Sequence, residues 1–107
     1  MTNIKERAKE LNGKIIEWRR HIHRNPETGF ETPMTEAFIV ERLREMGIEE
    51  ILEGVGKHGV TALIKGERPG KVLGMRADID ALPVKEETGL SFASVNGRMH
   101  ACGHDAH

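Results

Sequence analysis

Cys102-Gly103-His104-Asp105-Ala106-His107 gathers a thiol, two imidazoles and a carboxylate within six residues. These are the donors that borderline divalent ions prefer. Gly103 lets the backbone bend so that Cys102 and His104 can point at one centre. His104 and His107 are three apart and share a face on a helical turn; His100 is a further candidate donor. The spacing matches no zinc-finger pattern. Two other readings stay open: a chance gathering of surface histidines, and a Cys-His nucleophilic pair, which would need an orienting group and an oxyanion hole.

A second chemistry-bearing stretch is Arg76-Ala77-Asp78-Ile79-Asp80-Ala81-Leu82-Pro83. Two aspartates leave the end of a strand pattern, where sheets present functional groups to a cleft. One carboxylate can face a metal or accept a proton from a ligating imidazole. Equally, Asp78 and Asp80 can shape the turn through bonds to the backbone. In His21-Ile22-His23-Arg24-Asn25-Pro26-Glu27 the charged side chains are expected on the outer face and C-terminal end of a helix, where cations offset the helix dipole. Arg19, Arg20 and Arg24 read as part of that solvated face. His58, between Gly56 and Gly59, reads as a loop histidine with substrate gripping as its alternative.

The elements that must hold these groups follow from periodicity. Ile4, Ala8, Leu11, Ile15, Trp18 and Ile22 recur at steps of four and three, the core stripe of an amphipathic helix. Thr2 or Asn3 can cap its start, and Asn25-Pro26 ends it. After a short loop over 27–32, Thr32-Pro33 opens a second helix with Thr as cap and Pro at the first position. Its expected buried face is Met34, Ala37, Phe38, Val40, Leu43 and Met46, and Gly47-Ile48 closes it with a left-handed cap. A short strand is expected at Ile51-Leu52. Val60–Lys65 and Lys71–Arg76 read as two strands of an antiparallel hairpin around 66–70. The fold class is α/β: two helices, then strands, then a metal-binding loop.

Composition narrows the function classes. A chain of 107 residues is enough for one small domain. The hydrophobic fraction of 37% excludes 12 glycines, and counting them brings it to about 48%, ordinary for a globular core. A net charge of −1 and the absence of a concentrated basic face speak against nucleic-acid binding. With one Trp, three Phe and no Tyr, stacking platforms are scarce. No run approaches the roughly 20 apolar residues of a membrane span, and the N-terminus lacks the apolar core of a secretory signal. A single cysteine makes no internal disulfide, so the cytoplasm is expected, with Cys102 free or metal-bound.

Taken together, Trp18–Glu31, Met75–Pro83 and Met99–His107 resemble the amidohydrolase branch of the carboxypeptidase–aminoacylase metallopeptidases, in the family's order. That branch includes hippurate hydrolases, N-acetyl-diaminopimelate deacetylases and auxin-conjugate hydrolases. The resemblance implies a catalytic domain with a mixed sheet flanked by helices, in the manner of the zinc peptidases. It implies a smaller dimerisation domain inserted later in the chain, and a homodimer or homotetramer. It implies two divalent ions (manganese, nickel or zinc) that hydrolyse the amide of a small N-acyl amino acid or dipeptide. Cys102 and His104 match the family's first two metal ligands, with Asp78 and His107 behind them as further candidates. Asp80 matches the aspartate that supports the metals from beneath. Asp105 belongs to the motif without a ligand role. The family's other ligands, a glutamate and two histidines, and its catalytic glutamate fall beyond residue 107. The resemblance therefore implies that 1–107 is the N-terminal portion of a catalytic domain and inactive alone. The rival readings are a small non-enzymatic metal-binding protein and an interaction domain docking through its first helix.

Overall fold

The structure, a computed structural model, describes residues 3–107. Helix α1 spans Ile4–Arg24, within the limits read from periodicity. The Asn3 side chain caps it, its Oδ1 accepting from the amides of Lys5 at 3.1 Å and Glu6 at 3.4 Å. The alternative cap, Thr2, lies outside the described residues. Asn25 closes the helix ahead of Pro26, which is fully buried.

The expected core stripe of α1 is largely uncovered. Ile4 is 84% exposed, and Leu11 and Ile15 are exposed as well, while Trp18 and Ile22 are half-buried. An apolar stripe is buried only where a second layer faces it. Among the described residues, that layer meets α1 near its C-terminal end, through the 3₁₀ turn, the stacking of His21 on Phe38 of the second helix, and Glu86 and Phe92.

Helix α2 spans Pro33–Glu45 with Pro at its start, as expected. The cap differs. Thr32 holds the N-cap position but its side chain bonds no amide. The buried carboxylate of Glu27 reaches over instead: Oε2 accepts from the Met34 amide at 3.2 Å, and Oε1 from the Thr35 amide at 2.6 Å and hydroxyl at 2.7 Å. A full negative charge at the positive end of a helix does this work better than a neutral hydroxyl. At the far end, Gly47 adopts φ +83°, and the Ile48 amide donates to the Leu43 carbonyl at 3.1 Å. This is the left-handed closure read from Gly47-Ile48. The buried face is narrower than expected. Val40 and Thr35 are buried and Phe38 and Leu43 half-buried, whereas Met34, Ala37 and Met46 are exposed.

An antiparallel hairpin follows, one element earlier than expected: β1 (Ile51–Val55) pairs with β2 (Gly59–Ala62). Ile51 faces Ala62, Leu52 faces Thr61 and Val55 faces Gly59, with a bulge between Leu52 and Val55. The tight connection contains Lys57 at φ +91°. Residues 71–76 form no strand; Val72, Leu73 and Met75 are all exposed. Their alternation suits a sheet, but a strand exists only beside a paired neighbour, and among the described residues none runs alongside. The C-terminal segments are instead held by isolated bridges, Thr28 with Ala81 and Leu82 with Met99. A 3₁₀ turn, η1, spans His104–Ala106.

Candidate metal centre

Two backbone ties bring the chemistry-bearing stretches together. The Ala81 amide donates to the Glu27 carbonyl at 2.7 Å, and Ala81 is buried. Next to it, Leu82 and Met99 exchange both backbone bonds, at 2.9 and 3.0 Å. The stretch carrying Asp78 and Asp80 is thereby laid against the stretch carrying Cys102 and His104.

Gly103 sits at φ +86°, a left-handed bend that starts η1 and turns the His104 ring back toward residues 78–80. His104 Nδ1 lies 3.0 Å from both the Asp80 carbonyl and Asp80 Oδ1. With the Nδ1 proton shared between these oxygens, the Nε2 lone pair is left outward. Nε2 lies 3.5 Å from Asp78 Oδ2, so an imidazole nitrogen and a carboxylate face each other. Asp78 is also paired with Arg76. An electron-rich pair of this kind fits a cation between or beside its members.

His107 shares the turn's face with His104, as the three-residue spacing requires. Their rings stack at 5.7 Å between centroids. Cys102 is exposed and in no disulfide. Among the described residues, no three His, Cys, Asp or Glu side chains converge on one point. Cys102 and His104 thus supply part of a donor set.

His58 accompanies the aspartates along one cleft. With Phe30, Asp78 and Asp80 it lines an open cavity of about 520 Å³ between the 29–30 loop and the hairpin turn. Its Nδ1 pairs with Glu36 Oε1 at 3.2 Å. Glu36 also accepts from the Gly54 amide, and these bonds hold its carboxyl below the usual range. His100 is buried with neither ring nitrogen partnered. Burial pushes its pKa down, against the opposing pull of Asp105.

The largest departure from the sequence reading lies behind the turn. His23 is not on a solvated helix face: it is buried, with Nδ1 2.8 Å from Asp105 Oδ2 and Nε2 2.9 Å from Glu86 Oε1. Neither carboxylate side chain is exposed. Arg19, Arg20 and Arg24 are exposed, as the solvated reading expects, although Arg19 Nε approaches Asp105 at 3.4 Å and the Arg20 guanidinium lies over the Phe92 ring at 4.7 Å. Glu86 also accepts from the Ser94 amide at 3.0 Å and from the Thr88 hydroxyl. Burial opposes its ionisation, but Thr88, Ser94 and His23 outweigh burial and hold the pKa down at about 2. The one sequence signal for this cluster is that His23 and Asp105 both fall in resembling stretches.

Residues 74–107, which carry the aspartates and the Cys-His turn, match the model of peptidase family M20/M25/M40. The chain is 47% identical over 106 residues to a thermostable carboxypeptidase 2 of Saccharolobus solfataricus, covering 97% of this chain and 27% of that protein. It is 45% identical over 105 residues to an N-acyl-L-amino acid amidohydrolase of Geobacillus stearothermophilus, covering 97% of this chain and 28% of the relative. Its fold superposes on a dinuclear metal-binding peptidase of the M20 family from Bacillus subtilis with a TM-score of 0.83 and 48% identity, over 91% of this chain and 27% of that one. The chain therefore spans roughly a quarter of the length of these relatives. With the motif, the sequence and the α/β fold in agreement, the chain belongs to peptidase family M20/M25/M40.

Proposed function

We propose that the full-length protein is a metal-dependent amidohydrolase that cleaves the amide bond of N-acyl amino acids or dipeptides. Residues 1–107 are then the N-terminal portion of its catalytic domain, without the inserted dimerisation domain. The observation that carries this reading is the His104 ring, fixed by Asp80 through Nδ1 with Nε2 left free toward Asp78. Relatives named as an amidohydrolase and a carboxypeptidase give the reaction class.

Cys102, as thiolate, and His104 Nε2 are the ligands this chain offers, with Asp78 and His107 as further candidates. A pair of bound dications (manganese, nickel or zinc) would lower the pKa of a shared water and polarise the scissile carbonyl. Asp80 keeps the ring in the tautomer that leaves Nε2 a donor atom. The cleft beside His58 and the aspartates is wide enough to seat a small amide substrate. The free cysteine suits a reducing cytoplasm, and no described helix is long and apolar enough to cross a membrane. A homodimer or homotetramer is the assembly proposed for the full-length protein.

The test is release of free amino acid from a panel of N-acetyl and N-benzoyl amino acids by the full-length, metal-loaded protein, with a chelated control. Chelator-sensitive release supports the reading and begins to define the substrate. Folded, metal-loaded protein with no turnover favours the rival, a non-enzymatic metal-binding protein. That rival also needs tight 1:1 metal binding by residues 1–107, for which the described residues gather too few donors.

A further inference from the structure

We propose that His23 is a positioning residue for the metal-binding turn: clamped between Glu86 and Asp105, it sets where η1 sits and so where His104 aims. The inference rests on the reading of Cys102 and His104 as ligands. Three observations carry it.

First, His23 reaches the turn directly, because Asp105 is the residue after His104 and is buried within η1. Any movement of Asp105 carries the His104 backbone with it. Second, the contact is fixed at both ends. His23 belongs to the last turn of a 21-residue helix, and its second nitrogen is held by Glu86. Glu86 is itself held by the Ser94 amide and the Thr88 hydroxyl. Third, the ring is confined on both sides: Nδ1 pairs with Asp105 at 2.8 Å, and a Glu86 oxygen stands 2.9 Å from Nε2, both carboxylate side chains being fully buried.

The family motif draws attention to the ligands and to Asp80. His23 acts on the same ring from the opposite direction. Asp80 fixes the ring's rotation through Nδ1, and His23 fixes the backbone from which the ring hangs.

The experiment titrates cobalt(II) into the metal-free full-length protein and follows the thiolate-to-cobalt absorption of Cys102, with Cys102→Ser as blank. In His23→Gln one carboxamide group donates to one carboxylate, and its oxygen confronts the other. Apparent affinity is expected to fall about tenfold to a hundredfold, with a displaced band. A displaced band, and not lost affinity alone, is the reading that separates positioning of the ligands from packing. Wild-type affinity and band in His23→Gln would overturn the proposal. Wild-type protein that shows no thiolate band overturns the ligand reading, and this proposal with it. Because a variant of a buried pair can fail to fold, the unaltered protein supplies a second reading. Zinc should move the His23 Nδ1 nitrogen resonance, which faces Asp105, more than the Nε2 resonance, and an unmoved Nδ1 would overturn the proposal.

Discussion

His104 Nδ1 is shared between two oxygens of a single residue, the backbone carbonyl and the side-chain Oδ1 of Asp80, each at 3.0 Å. One residue thus both locates the ring and chooses its tautomer. The carbonyl is fixed by the backbone, since the neighbouring Ala81 amide is tied to Glu27. The carboxylate adds the charge that makes the opposite nitrogen a stronger donor.

Removing that charge should weaken the site without dismantling it. Asp80→Ala keeps the carbonyl bond and loses the carboxylate, so zinc affinity of the full-length protein is expected to drop about tenfold to a hundredfold. Calorimetric titration against wild type measures this. An unchanged dissociation constant would reduce Asp80 to a turn-shaping residue.

Glu27 should matter to stability more than Thr32. Its carboxylate satisfies the first amides of α2 and the Thr35 hydroxyl, all near or within the interior. Glu27→Ala is expected to cost about 1–2 kcal/mol, the value of a lost helix cap. Thr32→Ala removes a hydroxyl that caps nothing and should cost less. Urea midpoints of the two variants decide the order, and the reverse order would return the cap to Thr32.

At Gly103 the backbone, not space, forbids a side chain. A Cβ there meets nothing within 4 Å, yet φ is +86°. Gly103→Ala should therefore destabilise by about 1–2 kcal/mol, and Gly103→Asn by less, because Asn tolerates the left-handed region. Thermal unfolding of both variants tests it. Equal losses would mean the cost comes from something other than φ.

Glu86 should give the molecule an acid limb. Its folded pKa of about 2 lies below the ordinary 4.5, so its contribution is complete above about 4.5 and is lost as pH falls toward 2. Thermal midpoints of wild type and Glu86→Gln should thus differ by a constant amount at neutral pH and converge in acid. A gap that persists unchanged at the acid end would show that Glu86 is not the group held ionised.

Local signals in the sequence located local structure. The α1 limits, the Asn3 cap, the Pro33 start and the Gly47-Ile48 closure of α2 were all legible, because each depends on residues a turn or less apart. The hairpin was legible in kind but not in place. Apolar residues suited to a strand occur at both 51–55 and 71–76, and pairing, which propensity does not encode, decided between them. The buried stripe of α1 was misplaced for the same reason: periodicity shows which face is apolar, not whether anything lies on it.

By itself, the sequence determined the donor types, the bend at Gly103 and the family resemblance, since these are written in residue identity and short spacing. Only the tertiary structure decided that Asp80 holds His104, 24 residues away, and that His23 holds Asp105, 82 residues away. Burial depends on what distant segments place around a residue. An imidazole at the solvated-looking end of a helix and one clamped between two buried carboxylates therefore have the same local sequence.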